Sequence, residues 1–219
     1  MAGIFFCKLT LATLLHLNEL PILATLLHIK VSIKMSLKVI SGFLFLALLN
    51  FSCEKDDPVI PNEEELITTL NYQLVPEGGG DTVVLSFKDI DGDGGNAPVI
   101  TNGVLKANTT YVGTLSLLNE SVSPVESITE EVEEEGDEHQ FFFEKSDALD
   151  VAISYDDVDA NGDPVGLKTR LVTGAVSNGT LVITLRHEPS KAASGVSDGL
   201  IANAGGETDI EVSFNVEVE

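Results

Sequence analysis

The segment TRLVTGAVSNGTLVITL (residues 169–185) carries the strongest structural signal in the chain. Apolar and polar residues alternate along it, which is typical of β-strands with one buried face. Asn178-Gly179 interrupts the pattern, and this dipeptide favours a type I′ turn because both central residues of that turn need positive φ. The segment therefore predicts a β-hairpin of strands 167–172 and 179–185 joined at Asn178-Gly179.

The same alternation recurs between turn residues along the rest of the chain from Leu66. Further strands are predicted at 66–74, 81–87, 111–118, 140–144, 149–155 and 209–218. About eight short strands at regular spacing predict an all-β fold, an antiparallel immunoglobulin-like β-sandwich, and not the strand and helix alternation of a doubly wound fold. Tryptophan is absent, which argues against a true antibody-type domain.

One short acidic helix interrupts the predicted strands. Residues 125–137 read VESITEEVEEEGD, and Val125, Ile128 and Val132 are spaced by three and four positions, as on one face of a helix. Ser127 is a residue type that favours helix starts. We therefore expect one amphipathic helix whose apolar side faces the sandwich and whose glutamates face water.

Charge divides the chain near Cys53. Of its 35 acids and 12 bases, one acid and four lysines precede Cys53, which leaves 34 acids, 8 bases and a formal net charge of −26 for residues 53–219. Such a surface repels phosphate backbones, so no nucleic acid is expected as a partner, whereas divalent cations or a basic protein surface are favoured. The cysteines are Cys7 and Cys53, so no disulfide framework is expected in the domain.

Residues 35–52 predict a signal peptide that ends immediately before Cys53. A basic Lys38 precedes an apolar stretch from 39 to 49, and Ser52 is the small residue before the cysteine. The apolar stretch is long enough to enter the translocon but too short to span a membrane stably. The segment resembles a lipoprotein signal, and that resemblance implies a diacylglycerol thioether on Cys53, which becomes the mature N-terminus.

The remaining boundaries follow from these segments. Residues 1–34 are a doubtful N-terminal extension; we favour translation that begins at Met35, because a signal needs its basic region near the terminus, and a genuine extension is the alternative. Residues 53–64 are acidic and broken by prolines, which predicts a solvated tether. Residues 65–219 form the predicted β-sandwich domain.

Several segments of the chain resemble known exported proteins. Lys55-Asp56-Asp57 resembles the surface-export signal of Bacteroidetes-type lipoproteins, with an ordinary charged linker as the alternative. The segments ITEEVEEEGDEHQFFF, LVITLRHEP and AGGETDIEVSFNVEV resemble small lipoproteins of the flavobacterial type. The resemblance covers residues 35–219 and implies an outer-membrane lipid anchor, at the periplasmic face or the cell surface. A type 1 periplasmic binding fold is loosely associated with that group, but the strand pattern contradicts it.

Two acidic loops are candidate calcium sites. Alternating oxygen ligands followed by a glycine let the backbone curl around one centre, as in the first half of an EF-hand loop. The candidate ligands are Asp89, Asp91 and Asp93 in the first loop, and Asp157, Asp159, Asn161 and Asp163 in the second. Neither loop has the distal glutamate of an EF-hand, and a solvated Asp/Gly turn is the alternative interpretation.

A second candidate site uses imidazoles. A glutamate-rich run leads into His139, and His187 and Glu188 end another predicted strand, so these three side chains are alternative ligands for a transition metal. Two surface histidines beside a charged helix are the simpler interpretation.

The sequence does not predict an enzyme. Ser197 stands in a G-x-S-x-G pattern, but loop residues lie on both sides of it where a nucleophile elbow needs a strand and a helix. We therefore expect a non-enzymatic binding or accessory module, stiffened by Ca²⁺ and working beside a TonB-dependent receptor or a surface polymer. The alternatives are transition-metal acquisition through His139 and His187, and a surface hydrolase that uses Ser197.

Overall fold

The computed structural model describes residues 65–92 and 95–219. The predicted signal peptide, Cys53 and Asp93 lie outside the described residues. Within them the chain forms two β-sheets, one α-helix and a short 3₁₀ helix. The strands are β1 (Thr69–Pro76), β2 (Val83–Lys88), β3 (Val99–Thr101), β4 (Gly103–Leu105), β5 (Thr110–Asn119), β6 (Glu126–Ser127), β7 (His139–Lys145), β8 (Val151–Tyr155), β9 (Lys168–Thr173), β10 (Ser177–His187) and β11 (Glu207–Val218).

The larger sheet has the strand order β3-β2-β1-β5-β9-β8, with β6 paired to one end of β5. The smaller sheet has the order β4-β11-β10-β7. Neighbouring strands are antiparallel except for β4, which runs parallel to β11. The predicted all-β sandwich is therefore confirmed, with one short edge strand, β4, as the departure from antiparallel pairing.

The core lies between the two sheets and follows the alternation of the sequence. On β1, Leu70, Tyr72 and Leu74 are fully buried, and on β11 every second residue from Ile210 to Val218 is buried. Burial of one such side chain contributes about 1.5–3 kcal/mol. Tyr72 also keeps its hydroxyl satisfied in the core, 2.7 Å from Thr169 Oγ1.

The helix, α1 (Ile128–Glu134), is shorter than predicted because Glu126–Ser127 pairs with the end of β5 as β6. Ile128 and Val132 are buried in the core as expected, whereas Val125 is 54% exposed. Ser127 occupies the N-cap position, but its side chain makes no capping hydrogen bond. No helix in the described part of the chain is long and apolar enough to cross a membrane.

The predicted hairpin at Asn178-Gly179 is wrong. Both residues lie inside β10, where Asn178 pairs with Glu217 and Gly179 with Val216 on β11. The chain leaves β9 after Thr173, turns through 174–176 and crosses to the other sheet, so β9 and β10 are not partners.

Gly179 is needed for close packing against neighbouring residues and not for a turn. A Cβ at this position would overlap Ser146 Oγ and lie 2.9 Å from Leu149 Cβ and 3.2 Å from Leu149 N. Ser146 Oγ cannot rotate away without cost, because it accepts a hydrogen bond from the backbone N–H of Thr180.

This arrangement predicts that Gly179→Ala destabilises the domain by about 1–3 kcal/mol, the usual cost of overpacking. Urea unfolding followed by circular dichroism measures the change. Gly78→Ala is the matched control, because a Cβ there meets nothing within 4 Å, and it is expected to change stability by less than about 0.5 kcal/mol. Equal stability of the two variants would contradict the placement of Gly179 inside β10.

Candidate metal centre

Strand pairing brings the two histidines together at one end of the smaller sheet. His139 is the first residue of β7 and His187 the last residue of β10, and the antiparallel register places them directly opposite each other. Their ring centroids are 4.7 Å apart, and the rings meet edge to face at 69°. Both side chains are buried, with exposures of 0% and 9%.

A β-bulge turns Asp209 towards the histidines. Leu185 on β10 pairs with Ile210, but the next residue, Arg186, pairs with Thr208, so Asp209 is an extra residue in β11. A bulge redirects side chains relative to the regular pleat. Here it places the carboxylate of Asp209 3.7 Å from His187 Nδ1 and 3.8 Å from His139 Nε2, with the side chain fully buried.

Glu65 completes the group from outside the sheets. Its Oε1 lies 2.9 Å from His139 Nε2 and its Oε2 lies 3.5 Å from His187 Nδ1, and the side chain is 6% exposed. Thr68 anchors this segment, since both its N–H and its hydroxyl donate to the carbonyl of Leu118, at 3.0 and 3.1 Å.

We call Glu65, His139, His187 and Asp209 the four-residue cluster. In it each imidazole nitrogen faces both carboxylates, and one ligand atom from each residue lies within 4.8 Å of all the others. A tetrahedral Zn²⁺ with bonds of about 2.0–2.1 Å separates its ligand atoms by about 3.3–3.4 Å. The four contacts between nitrogen and oxygen, at 2.9 to 3.8 Å, bracket that separation.

The hydrogen bonding of His139 indicates that positive charge lies between its Nε2 and Glu65. Its Nδ1 lies 3.1 Å from the carbonyl oxygen of Glu135, just beyond α1. Because a carbonyl only accepts, Nδ1 carries the proton, and in a neutral ring Nε2 then presents a lone pair to Glu65. Two acceptors at 2.9 Å need a proton or a metal ion between them. A hydrogen bond to the remaining ring nitrogen is also how proteins orient metal-binding histidines.

The pKa values of Glu65 and His139 also indicate that positive charge is favoured between these two side chains. Burial alone raises the pKa of Glu65, but the hydrogen bond from His139 and the attraction of both imidazoles outweigh it and lower that pKa to about 2. Burial alone lowers the pKa of His139, yet the hydrogen bond and charge of Glu65, with Asp209, raise it overall. Both shifts favour a proton on His139 beside an ionised Glu65.

Metal binding by His139, His187 and Glu188 stays a prediction, and the structure shows where these side chains lie. The two histidines lie together, but the four-residue cluster contains Glu65 and Asp209 in place of Glu188, which is exposed. Glu188 belongs to a second group with Glu138 and His187. Glu65 was not predicted because it stands at the end of an acidic run, just before the first predicted strand, and Asp209 was not predicted because its position in the alternation indicates a solvent-facing side chain.

The second acidic loop already contains a cation from the chain itself. Lys191 Nζ lies 2.8 Å from Asp159 Oδ2 and 2.9 Å from the carbonyl oxygen of Pro164, and it also donates to the carbonyl of Gly136. The other oxygen of Asp159 accepts the N–H groups of Asn161 and Asp163, at 2.8 and 3.0 Å.

Asp157 is satisfied in the same way, because its two carboxylate oxygens accept the N–H groups of Gly166 and Lys168. In the first loop Asp89 accepts the N–H of Gly92, and Asp91 accepts both the backbone and side-chain N–H groups of Asn96. These carboxylates therefore have partners within the chain, and calcium binding by either loop stays a prediction.

Ser197 lies in a turn region between β10 and the 3₁₀ helix Ile201–Asn203, and its side chain is exposed.

No family model, characterised protein or solved structure matches the chain. The described residues therefore define its class by themselves: an all-β sandwich with a buried cluster of two imidazoles and two carboxylates at one end.

The ion pair between Lys191 and Asp159 predicts that Lys191→Met strongly destabilises the domain. Lys191 and Asp159 have side-chain exposures of 6% and 1%, and removal of one partner from a buried ion pair costs about 3–5 kcal/mol. Chemical denaturation measures the loss. Lys168→Met removes an exposed lysine on β9 and is expected to be nearly neutral; an equally small effect of Lys191→Met would show that the buried pair is not stabilising.

Proposed function

We propose that this chain is an exported, lipid-anchored binding module that holds one divalent transition-metal ion through Glu65, His139, His187 and Asp209. The observation that carries the proposal is the burial of two imidazoles and two carboxylates around one point, at distances that suit shared coordination. Exposed acidic groups often approach one another without a ligand, but these four side chains are buried or nearly so, which makes uncompensated charge costly.

The charge of the four-residue cluster suits a divalent ion. Two carboxylates and two neutral imidazoles carry two negative charges, which a divalent cation cancels inside a region of low dielectric constant. Partial burial raises the pKa of Glu131, and repulsion from Glu126 and Glu65 raises it further. This shift indicates a negative electrostatic potential at this end of the domain. A negative field of this kind attracts cations from solution.

The ligand types favour transition metals over calcium or magnesium. Imidazole suits Zn²⁺, Cu²⁺, Ni²⁺ and Fe²⁺, whereas Ca²⁺ and Mg²⁺ prefer six or more oxygen ligands. Because four protein groups fill a tetrahedral shell, no coordination position remains for a substrate, and closed shells of this kind are typical of non-catalytic zinc sites. This supports metal holding or delivery as the role and not hydrolysis.

Lipidation of Cys53 would hold the metal-binding domain at the outer membrane. The supporting features are the segment 35–52 and the acidic tether of residues 53–64, which is followed directly by Glu65, itself a proposed ligand. A metal ion would therefore fasten the start of the domain to β7, β10 and β11. At the periplasmic face or the cell surface, such a module would supply metal to a TonB-dependent receptor.

Titration of the metal-free domain with zinc chloride tests the proposal. We expect one submicromolar site per chain at pH 7.5 and release of protons on binding, measured by calorimetry in buffers of different ionisation enthalpy. Because the pKa of His139 is raised, protons compete more strongly as the pH falls, so the affinity for zinc decreases between pH 7.5 and 6.

The matched variants separate specific from surface binding. His139→Gln combined with His187→Gln should weaken zinc binding by at least about 100-fold, whereas Glu211→Gln, which removes an exposed carboxylate from the same strand as Asp209, should leave it unchanged. Absence of a saturable site in the unmutated domain, or equal affinities of the two variants, would refute the proposed function.

Cys53→Ser tests the anchor independently. In the native host the unmutated protein should incorporate labelled fatty acid and partition into the detergent phase, because acyl chains add about 0.8 kcal/mol of membrane affinity per buried CH₂. The variant should incorporate no label and remain in the aqueous phase while binding zinc with unchanged affinity. Identical fractionation of both forms would rule out lipidation at this residue.

A further inference from the structure

Access to the four-residue cluster is restricted on most sides. The side chains of His139 and Asp209 are fully buried, Glu65 is nearly so, and His187 has the largest exposure of the four, at 9%. A hydrated ion that reaches this cluster must exchange its water for protein ligands on the way in. His187 is therefore the member of the cluster that an incoming ion would meet first.

Two exposed carboxylates stand beside His187. Glu138 immediately precedes β7 and Glu188 immediately follows β10, so each flanks one member of the paired histidines. The backbone N–H of Glu188 donates to the carbonyl of Glu138 at 2.7 Å, which extends the pairing of the two chains by one step. Side-chain ligand atoms of Glu138, His187 and Glu188 lie within 4.8 Å of one another.

We propose that Glu138, His187 and Glu188, the outer cluster, form a loading site that captures a hydrated divalent transition-metal ion and passes it to the four-residue cluster. This inference rests on the proposed function, because it assigns a route to the same buried site. His187 belongs to both clusters. Because of this shared ligand, one ion can occupy the outer cluster first and the four-residue cluster next.

The chemistry of the outer cluster suits capture more than retention. Exposed carboxylates attract a divalent ion while it still keeps part of its water shell, and clusters of one charge sign raise association rates by about 10-fold or more. The four-residue cluster then offers a second imidazole and two buried carboxylates, where Coulomb attraction is less screened. An ion held by His187 in the outer cluster needs only an exchange of neighbouring ligands to move inwards.

Stopped-flow mixing of the metal-free domain with zinc chloride tests the loading site in the variant Glu138→Gln with Glu188→Gln. We expect the association rate constant to fall by about 10-fold while the equilibrium affinity changes by less than about threefold. Because affinity is the ratio of the two rate constants, the dissociation rate measured with excess chelator should fall by a similar factor. Each single variant should give a smaller decrease in both rates.

Glu144→Gln with Glu217→Gln is the matched control. It removes the same number of exposed carboxylates from the same sheet, but at the end opposite to the histidines, and it should keep the unmutated association rate. Equal rates in the two double variants would overturn the loading site and leave the proposed function intact. A loss of affinity in Glu138→Gln with Glu188→Gln without slower association would also overturn it, since those residues would then be ligands of the final site.

Failure of the unmutated domain to bind zinc would instead refute the proposed function itself, and the loading site with it. The two failures are therefore distinguishable, because one appears in the equilibrium titration and the other only in the rates. Both substituted glutamates are exposed, so the variants are expected to fold, and circular dichroism confirms this before mixing.

Discussion

Two ionisable carboxylates and two imidazoles occupy a space at the end of the sandwich from which water is largely excluded. Such a group is stable only if positive charge lies among its members, because an uncompensated carboxylate in a region of low dielectric constant costs several kilocalories per mole. Protons on the imidazoles or a metal ion can supply that charge. The 2.9 Å separation of His139 Nε2 from Glu65 Oε1 requires one of the two, since Nδ1 of the same ring already donates to Glu135.

The fold assembles this cluster from segments far apart in the chain. β7 and β10 supply one histidine each through their register, a bulge in β11 supplies Asp209, and the segment before β1 supplies Glu65. Each contribution depends on a different structural device, so loss of any one of them would leave buried charge without its counterpart. The site therefore depends on the strand pairing of the smaller sheet and on the position of residues 65–68, just before β1.

The same physical rule explains the second acidic loop. Asp159 is buried, and the ammonium group of Lys191 lies against it together with two backbone carbonyls. The side chain of Lys191 thus supplies beside Asp159 the positive charge that we expected calcium to supply. The alternating carboxylates indicated that positive charge would be favourable there, but Lys191 lies 32 residues beyond Asp159 in the chain, and nothing in the loop itself could identify it.

The class of fold and most of its strands could be predicted from local sequence, because alternation of apolar and polar residues shows which side of a strand is buried. Local sequence also indicated His139, after a glutamate-rich run, and His187, at the end of a strand, but not Glu65 and Asp209. Three features could not be predicted locally: Asn178-Gly179 lies within β10, β4 joins the smaller sheet in parallel, and Glu65 and Asp209 complete the cluster. These outcomes depend on register, on a bulge and on contacts between distant segments, and such features arise from the packing of the whole domain and leave no periodic signal in any one segment.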